Sequence, residues 1–299
     1  MRQPPTRCPV LSRSSVVEAL SEEYTPRVGV IRKIWELALV ELKTWWTYRL
    51  WVILDVTGTV LHVATYVLVS KFTSPRAVAE AYGRGDFFTF AVLGLAFQMY
   101  VFGAIQGIAE AIREEQWRGT MESILSTSTG FITFLAGKSL ATFILATYFL
   151  AAALATGLAL GAKLEVSFSS AIAAAVLSLL LIVSHSTIGV LSAGVIMKFK
   201  EGSPVVWLFS WSTQLFSGVL YPLGLLPPWL RVLSKAFPLT YSLDALRLTL
   251  MAGETLASPR VAANIRSLLA FTAVTAPISM EVFRRGYNSS RRDGSLGQY

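Results

Sequence analysis

Four stretches of this chain contain no Asp, Glu, Lys or Arg: residues 87–109, 139–162, 166–197 and 202–230. They run to 23, 24, 32 and 29 residues. About 20 apolar residues in a helix cross a bilayer core of about 30 Å, so each run is long enough to span. A water-soluble core of this size would alternate apolar and polar positions with helical or strand period instead. The pattern predicts an all-α, polytopic membrane protein with six transmembrane helices, roughly at 50–70, 87–109, 139–162, 169–197, 204–222 and 262–283. The first carries Asp55 and His62 and the last carries Arg266. The fourth is long enough to be one tilted helix or a helix with an interfacial extension.

Ahead of the first span, residues 30–49 show helical spacing. Ile31, Ile34, Trp35, Ala38, Leu42, Trp45 and Trp46 fall on one side, and Arg32, Lys33, Glu36, Lys43 and Thr47 on the other. A Trp-rich apolar face opposite a basic one suits an amphipathic helix lying in the headgroup plane. A soluble helix packed on a partner has the same pattern. Within the third span Ala153, Gly157 and Gly161 recur at four-residue spacing, as do Gly189 and Ala193 in the fourth. Small residues so placed let helix backbones approach closely in lipid.

Composition sharpens this picture. The apolar fraction is 54%, only slightly above the roughly 45–50% of soluble domains, while the charged fraction is 15% against about 25%. Charge has therefore been withdrawn locally. Soluble enzyme, disordered chain and disulfide scaffold are excluded, the last because Cys8 stands alone. The organisation expected is a polar N-terminal tail over 1–29, a six-helix membrane domain over 30–285 and a basic C-terminal tail over 286–299. Residues 1–29 hold four prolines and no apolar h-region, so the first span is expected to act as an uncleaved anchor.

Six spans put both termini on one side, and Lys and Arg decide which. Segments 1–49, 110–138, 198–203 and 284–299 hold 17 basic residues; 71–86, 163–168 and 223–261 hold eight. Both termini are expected in the cytoplasm, with the chain in the plasma membrane. The net charge of +8 then reads as orientation and attraction to anionic lipid. Basic residues scattered over several loops do not make a nucleic-acid interface.

No catalytic set is visible. Asp55, His62 and His185 lie in spans, where an ionisable group is either a proton or ion site or a hydrogen-bonded packing residue. Ala136-Gly137-Lys138-Ser139 imitates the end of a phosphate-binding loop, but Ile132 stands where that loop requires Gly.

Two stretches are more informative. In the inside loop 110–138, Glu114, Glu115, Trp117 and Arg118 precede Gly119, which should break a helix. Thr120 can cap a new one with Glu122 in its first turn. The result would be a rigid charged elbow, suited to docking a partner, or an ordinary solvated loop. In the second stretch, 217–247, Gly218, Pro222, Pro227, Pro228 and Trp229 interrupt an apolar run too long for one span. Broken backbone at membrane depth is tolerated only under protein or in a water-filled cavity. This predicts an outer-leaflet re-entrant hairpin followed by an interfacial helix around 240–251.

At these stretches the chain resembles the permease subunit of ABC transporters of the type-2, exporter class. The elbow matches that family's Gly-Thr-x-Glu-x-x-Leu at Gly119, Thr120, Glu122 and Leu125, with a later Gly-Lys at Gly137 and Lys138. The hairpin matches at Ser217, Gly218, Pro222, Leu226, Pro227, Pro228, Trp229 and Leu230, followed by Pro238 to Tyr241 and Asp244 to Arg247. Ser128 stands where the family usually has Pro. The resemblance covers about residues 30–285.

It implies an exporter half made only of membrane, in which two permeases, identical or different, assemble with two copies of a separate ATPase. That ATPase would carry the ATP and Mg, and this chain no cofactor. The ATPases would press on the elbow, on a second inner loop with Lys198, Lys200 and Glu201, and on the helix at 30–48. Substrate would pass between permeases along spans two and five, past Phe90, Phe97, Gln98, Trp211 and Gln214. The alternatives are a secondary transporter or channel using Asp55, His62 or His185, and a non-transporting membrane anchor.

Overall fold

The computed structural model describes residues 29–72, 76–83, 86–120, 123–124, 127, 129–199 and 204–292. Among them every regular element is helical. In chain order these are α1 (Val30–Thr47), α2 (Arg49–Phe72), α3 (Arg76–Tyr82), α4 (Phe87–Arg118), α5 (Phe131–Ala159) and α6 (Phe168–Phe199). They are followed by α7 (Pro204–Phe216), a 3-10 turn (Leu223–Leu225), α8 (Pro228–Ser234), α9 (Pro238–Leu250) and α10 (Pro259–Arg292). Five are long and apolar enough to cross a membrane: α2, α4, α5, α6 and α10.

The expected span at 204–222 is present as a helix of only 13 residues, ending at Phe216. At 1.5 Å per residue it is about 20 Å long, short of a bilayer core. Gly218, at φ +68°, turns the chain into the left-handed region two residues later, and Pro222 follows. The long fourth span is one unbroken helix, α6, of 32 residues.

Several helices outrun their apolar stretches. α4 continues nine residues beyond the predicted 87–109 and α5 begins eight before 139, which confines the loop between them to residues 119–130. The charges of 110–118 end the apolar stretch without ending the helix, because they pair along its surface. Arg113 lies 3.6 Å from Glu110, and Arg118 pairs with Glu114 one turn back. Likewise α10 extends to Arg292, through the first half of the segment expected as a tail.

α4 is the central element, its apolar window 78% buried against 11–39% for the other four candidate spans. It packs on α5, α6, α2, α9 and α7. Close approaches use glycine as the small-residue spacing suggests. A Cβ at Gly157 would lie 2.5 Å from Val92, and one at Gly189 would lie 2.8 Å from the Ile105 carbonyl. The seam between α6 and α10 relies on a pair that spacing within one helix cannot reveal: a Cβ at Gly286 would meet the Gly194 carbonyl at 2.1 Å. Ser290 donates to the Met197 carbonyl beside it.

α1 divides the face read from its spacing. Ala38 is buried, and Trp45 meets Tyr148 and Phe149 edge-on at 5.6 and 6.2 Å. A Cβ at Gly137 of α5 would lie 2.6 Å from Leu37. Ile31, Trp35 and Trp46 remain exposed. The helix is thus docked on α5 and keeps an uncovered Trp-bearing side.

Candidate functional site

The elbow end of the molecule is organised by Lys138. Its ammonium lies 2.7 Å from Glu41 of α1, 3.3 Å from Glu115 and 3.7 Å from Glu114 of α4. Lys138 is carried by α5, so one buried cation ties three helices together. Sequence spacing placed it at the end of a loop; the early start of α5 puts it in a helix facing the carboxylates. Such a cluster offsets the desolvation of its members only because each charge is met by an opposite one.

The elbow closes onto the same group. Gly119 caps α4 at φ +68°, its N–H bonded to the Gln116 carbonyl at 3.1 Å, and the Thr120 N–H reaches the Glu115 carbonyl at 3.0 Å. The Thr120 hydroxyl donates to the Glu115 carboxylate. Thr120 therefore seals the preceding helix and, as its spacing suggested, also opens a helical turn after it, its carbonyl accepting from the Ile124 N–H at 3.0 Å. Glu115 and Gln116 are buried, whereas Trp117 is 76% exposed. Lys198 is exposed at the end of α6, its ammonium 5.3 Å from the Phe199 ring. Glu122, Leu125, Ser128, Lys200 and Glu201 lie outside the described residues.

The opposite end is held by Arg247 of α9. Its guanidinium donates to the carbonyls of Gly218 at 2.8 Å, Val219 at 2.7 Å and Phe90 at 3.0 Å. It also lies 3.4 Å from the Phe90 ring centre, a cation–π contact. The turn after α7 is thereby pinned to α4. Gly94 makes room for this: a Cβ there would sit 2.0 Å from the Val219 carbonyl and 2.5 Å from the guanidinium. The helix expected at the interface, α9, is instead buried along nearly its whole length.

Asp244, one turn before Arg247, joins α3 and α10 to α9. It accepts from the Tyr82 hydroxyl at 3.2 Å and the Asn264 amide at 2.7 Å, and lies 3.5 Å from Arg260. Burial pushes the Tyr82 phenol above its ordinary pKa, so it is a proton donor to Asp244 at neutral pH. The hairpin supplies its own partners too. Arg231 donates to the carbonyls of Gly224 and Leu226 at 2.9 and 3.1 Å, Pro228 opens α8, and Trp229 is exposed.

A match to the ABC-2 type transporter family model covers residues 33–251. The chain belongs to this family. The match opens within α1 and closes one residue past α9, so it contains the Lys138 cluster, the elbow and the hairpin. No match is found among curated proteins. As an ABC-2 membrane domain it is an ABC transporter permease, a transport component that is not itself catalytic, in a family whose members normally pair with an ABC ATPase subunit.

The residues proposed to line a pathway are divided. Phe90, Phe97 and Gln98 are buried inside the chain's own fold, and Phe90 is engaged by Arg247. Trp211 is 60% exposed, on the outer side of α7 with Trp207, Leu208 and Leu215. Gln214 is half-buried. Ser210 and Thr213 on the inner side of α7, and Ser217 just past its end, are buried with no hydrogen-bond partner for their hydroxyls among the described residues. The ionisable residues in spans are dispersed as well. Asp55 and His62 are on exposed faces of α2, with His62 edge-on to Tyr66, while His185 is buried in α6 with Nδ1 2.7 Å from the Leu181 carbonyl.

Proposed function

We propose that this permease is the membrane half of an ATP-driven exporter in which two such subunits, the same or different, work with two copies of a separate ATPase. The observation that carries the reading is the Lys138 cluster within a matched ABC-2 domain. Any push on the elbow is delivered to Glu114 and Glu115, and through Lys138 to α1 and α5. That is the mechanical connection a permease needs if nucleotide hydrolysis occurs in another chain. ATP and Mg belong to that partner.

In this reading α7 and the turn after it form the fifth of six membrane segments, with the 217–234 hairpin at the outer leaflet. Both termini lie in the cytoplasm, the chain resides in the plasma membrane, and the uncovered Trp-bearing side of α1 rests among headgroups. Trp117, on the exposed side of the elbow, is the anchor offered to the ATPase; Gly119 and Thr120 hold the elbow's shape, with Arg118, Glu122, Lys198, Lys200 and Glu201 around it. Substrate passes between permeases along α4 and α7, where Trp211 and Gln214 are accessible.

The experiment is reconstitution with the candidate ATPase. Trp117→Ala should lower permease-stimulated ATP hydrolysis about tenfold, as expected for loss of a buried aromatic anchor worth about 1.4 kcal/mol, while leaving the permease folded and inserted. Unchanged stimulation would remove the elbow from the docking surface.

A further inference from the structure

α1 and α2 are separated by one residue, Tyr48, at ψ 63°, where the helical path is interrupted. A cavity of about 300 Å³ lies against this joint, lined by Trp46 of α1 and by Arg49, Val52 and Ile53 of α2. It stands at the lower end of the roughly 300–1,000 Å³ of small-molecule sites. Val52 is buried and supplies an apolar inner wall, while Trp46, Arg49 and Ile53 are exposed. Neighbouring tryptophans divide the work of the joint. Trp45 packs edge-on against Tyr148 and Phe149 of α5, which fixes α1, and Trp46 is left facing the cavity.

The aromatic residues around the joint give its depth. Trp46, Tyr48 and Trp51 are all exposed, and so is Tyr148 beside Trp45. Exposed Trp and Tyr collect at the headgroup level, where one end of the ring is in hydrocarbon and the other is wet. Beyond this girdle α2 exposes Ile53, Leu54 and Leu61, as a lipid-facing helix does. Arg49 stands in the girdle with no hydrogen-bond or ion-pair partner among the described residues. Lys43, exposed and one turn before Trp46 on the same side of α1, has none either. The acids nearest in sequence do not answer them. Glu41 is held 2.7 Å from Lys138, and Asp55, six residues past Arg49, falls on another side of α2. The joint therefore presents uncompensated positive charge at the level where a bilayer carries its phosphates, and a guanidinium grips phosphate through paired N–H bonds.

We propose that the cavity at the α1–α2 joint is a binding site for a membrane lipid with a net negative headgroup. Its phosphate sits on Arg49, within reach of Lys43 and the Trp46 indole N–H, and its acyl chains follow Val52 and Ile53 along α2. A headgroup that brings its own ammonium gains less at two unanswered cations than one that does not. The bound lipid bridges the joint and braces α1, which Glu41 ties to the Lys138 cluster. The inference rests on the chain's crossing a bilayer and is independent of ATPase coupling, so loss of ATPase stimulation does not bear on it.

The test uses the full chain, without ATPase, in vesicles of equal phosphatidylglycerol and phosphatidylethanolamine. Both lipids carry a phosphate, and only the second neutralises it with an ammonium. After mild extraction, native mass spectrometry should show phosphatidylglycerol retained over phosphatidylethanolamine by roughly tenfold, as one hydrogen bond to a charged group implies. Arg49→Gln should bring that ratio close to parity. Trp46→Leu removes the indole N–H and one wall of the cavity; it should also lower the ratio, and it serves if the first variant fails to fold, as judged by elution and thermal transition. Lys71→Gln takes the same charge from the far end of α2 and should leave the ratio unchanged. Excess inorganic phosphate, compared with chloride at matched ionic strength, should leave it unchanged too, because the acyl chains hold the lipid. Equal retention of both lipids by the parent protein overturns the proposal. So does a loss with Lys71→Gln as large as with Arg49→Gln, or displacement by inorganic phosphate, which would make this a site for the free anion.

Discussion

The permease buries two cations at opposite ends of α4, and it compensates them in opposite ways. Lys138 is met by the carboxylates of Glu41, Glu114 and Glu115. Arg247 hydrogen-bonds to the backbone carbonyls of Gly218, Val219 and Phe90 and lies over the Phe90 ring. Between Phe90 and Glu114 the helix rises about 36 Å, so the two do not share partners. A cluster of side chains can repartner when a helix shifts, because two of its three carboxylates have other donors within reach: Glu114 also holds Arg118, and Glu115 also holds Thr120. A guanidinium fork seated on three carbonyls can only be in place or out of place. The elbow end is thus built to transmit movement and the hairpin end to resist it.

The sharpest way to break that contrast is Arg247→Lys. A compact ammonium cannot reproduce the fork, and the carbonyls of Gly218 and Val219 would be left buried. The expected cost is about 3 kcal/mol or more of stability, read as thermal unfolding in detergent, with proteolysis near 217–222 increasing first. Loss at the other end should be smaller and repairable. Lys138→Met should cost about 2 kcal/mol, less than a fully buried pair because Glu41 and Glu114 can turn to water. Adding Glu115→Gln should recover about 1 kcal/mol, a coupling measured by the double-mutant cycle. If Lys138→Met costs as much as Arg247→Lys and no acid-to-amide change repairs it, the two ends do not differ as described. The smallest effect is expected at the rim of the rigid end: Tyr82→Phe removes one hydrogen bond to Asp244 and should cost about 1 kcal/mol, by the same unfolding measurement.

Much of the architecture was legible because lipid imposes a simple rule on sequence. A helix that faces hydrocarbon cannot carry charge, so the empty runs at 87–109, 139–162 and 166–197 revealed α4, α5 and α6. Their ends were misjudged for a related reason: Glu110–Arg118 is charged, and charge marks the membrane boundary but not the helix boundary. The run at 202–230 was harder, since apolar content alone cannot distinguish a full span from a 13-residue helix followed by a turn. Gly218 and Pro222 carried that information, and the break falls there. At the elbow, Glu115 and Trp117 both looked like docking residues; only packing shows that Glu115 turns inward to Lys138 and Trp117 outward.

The sequence by itself determined that this protein lives in a bilayer, where its long apolar helices fall along the chain, and, through the elbow and hairpin motifs, its family. These follow from local composition, because the cost of burying charge in hydrocarbon is felt residue by residue. Only the tertiary structure decided what the remaining charges are for. Lys138 and Arg247 read alike in a one-dimensional pattern, each a basic residue beside an apolar run. Their partners lie 97 residues away for Glu41 and 157 for Phe90. Whether a buried cation meets carboxylates or carbonyls depends on which helices pack together, and local spacing does not encode that.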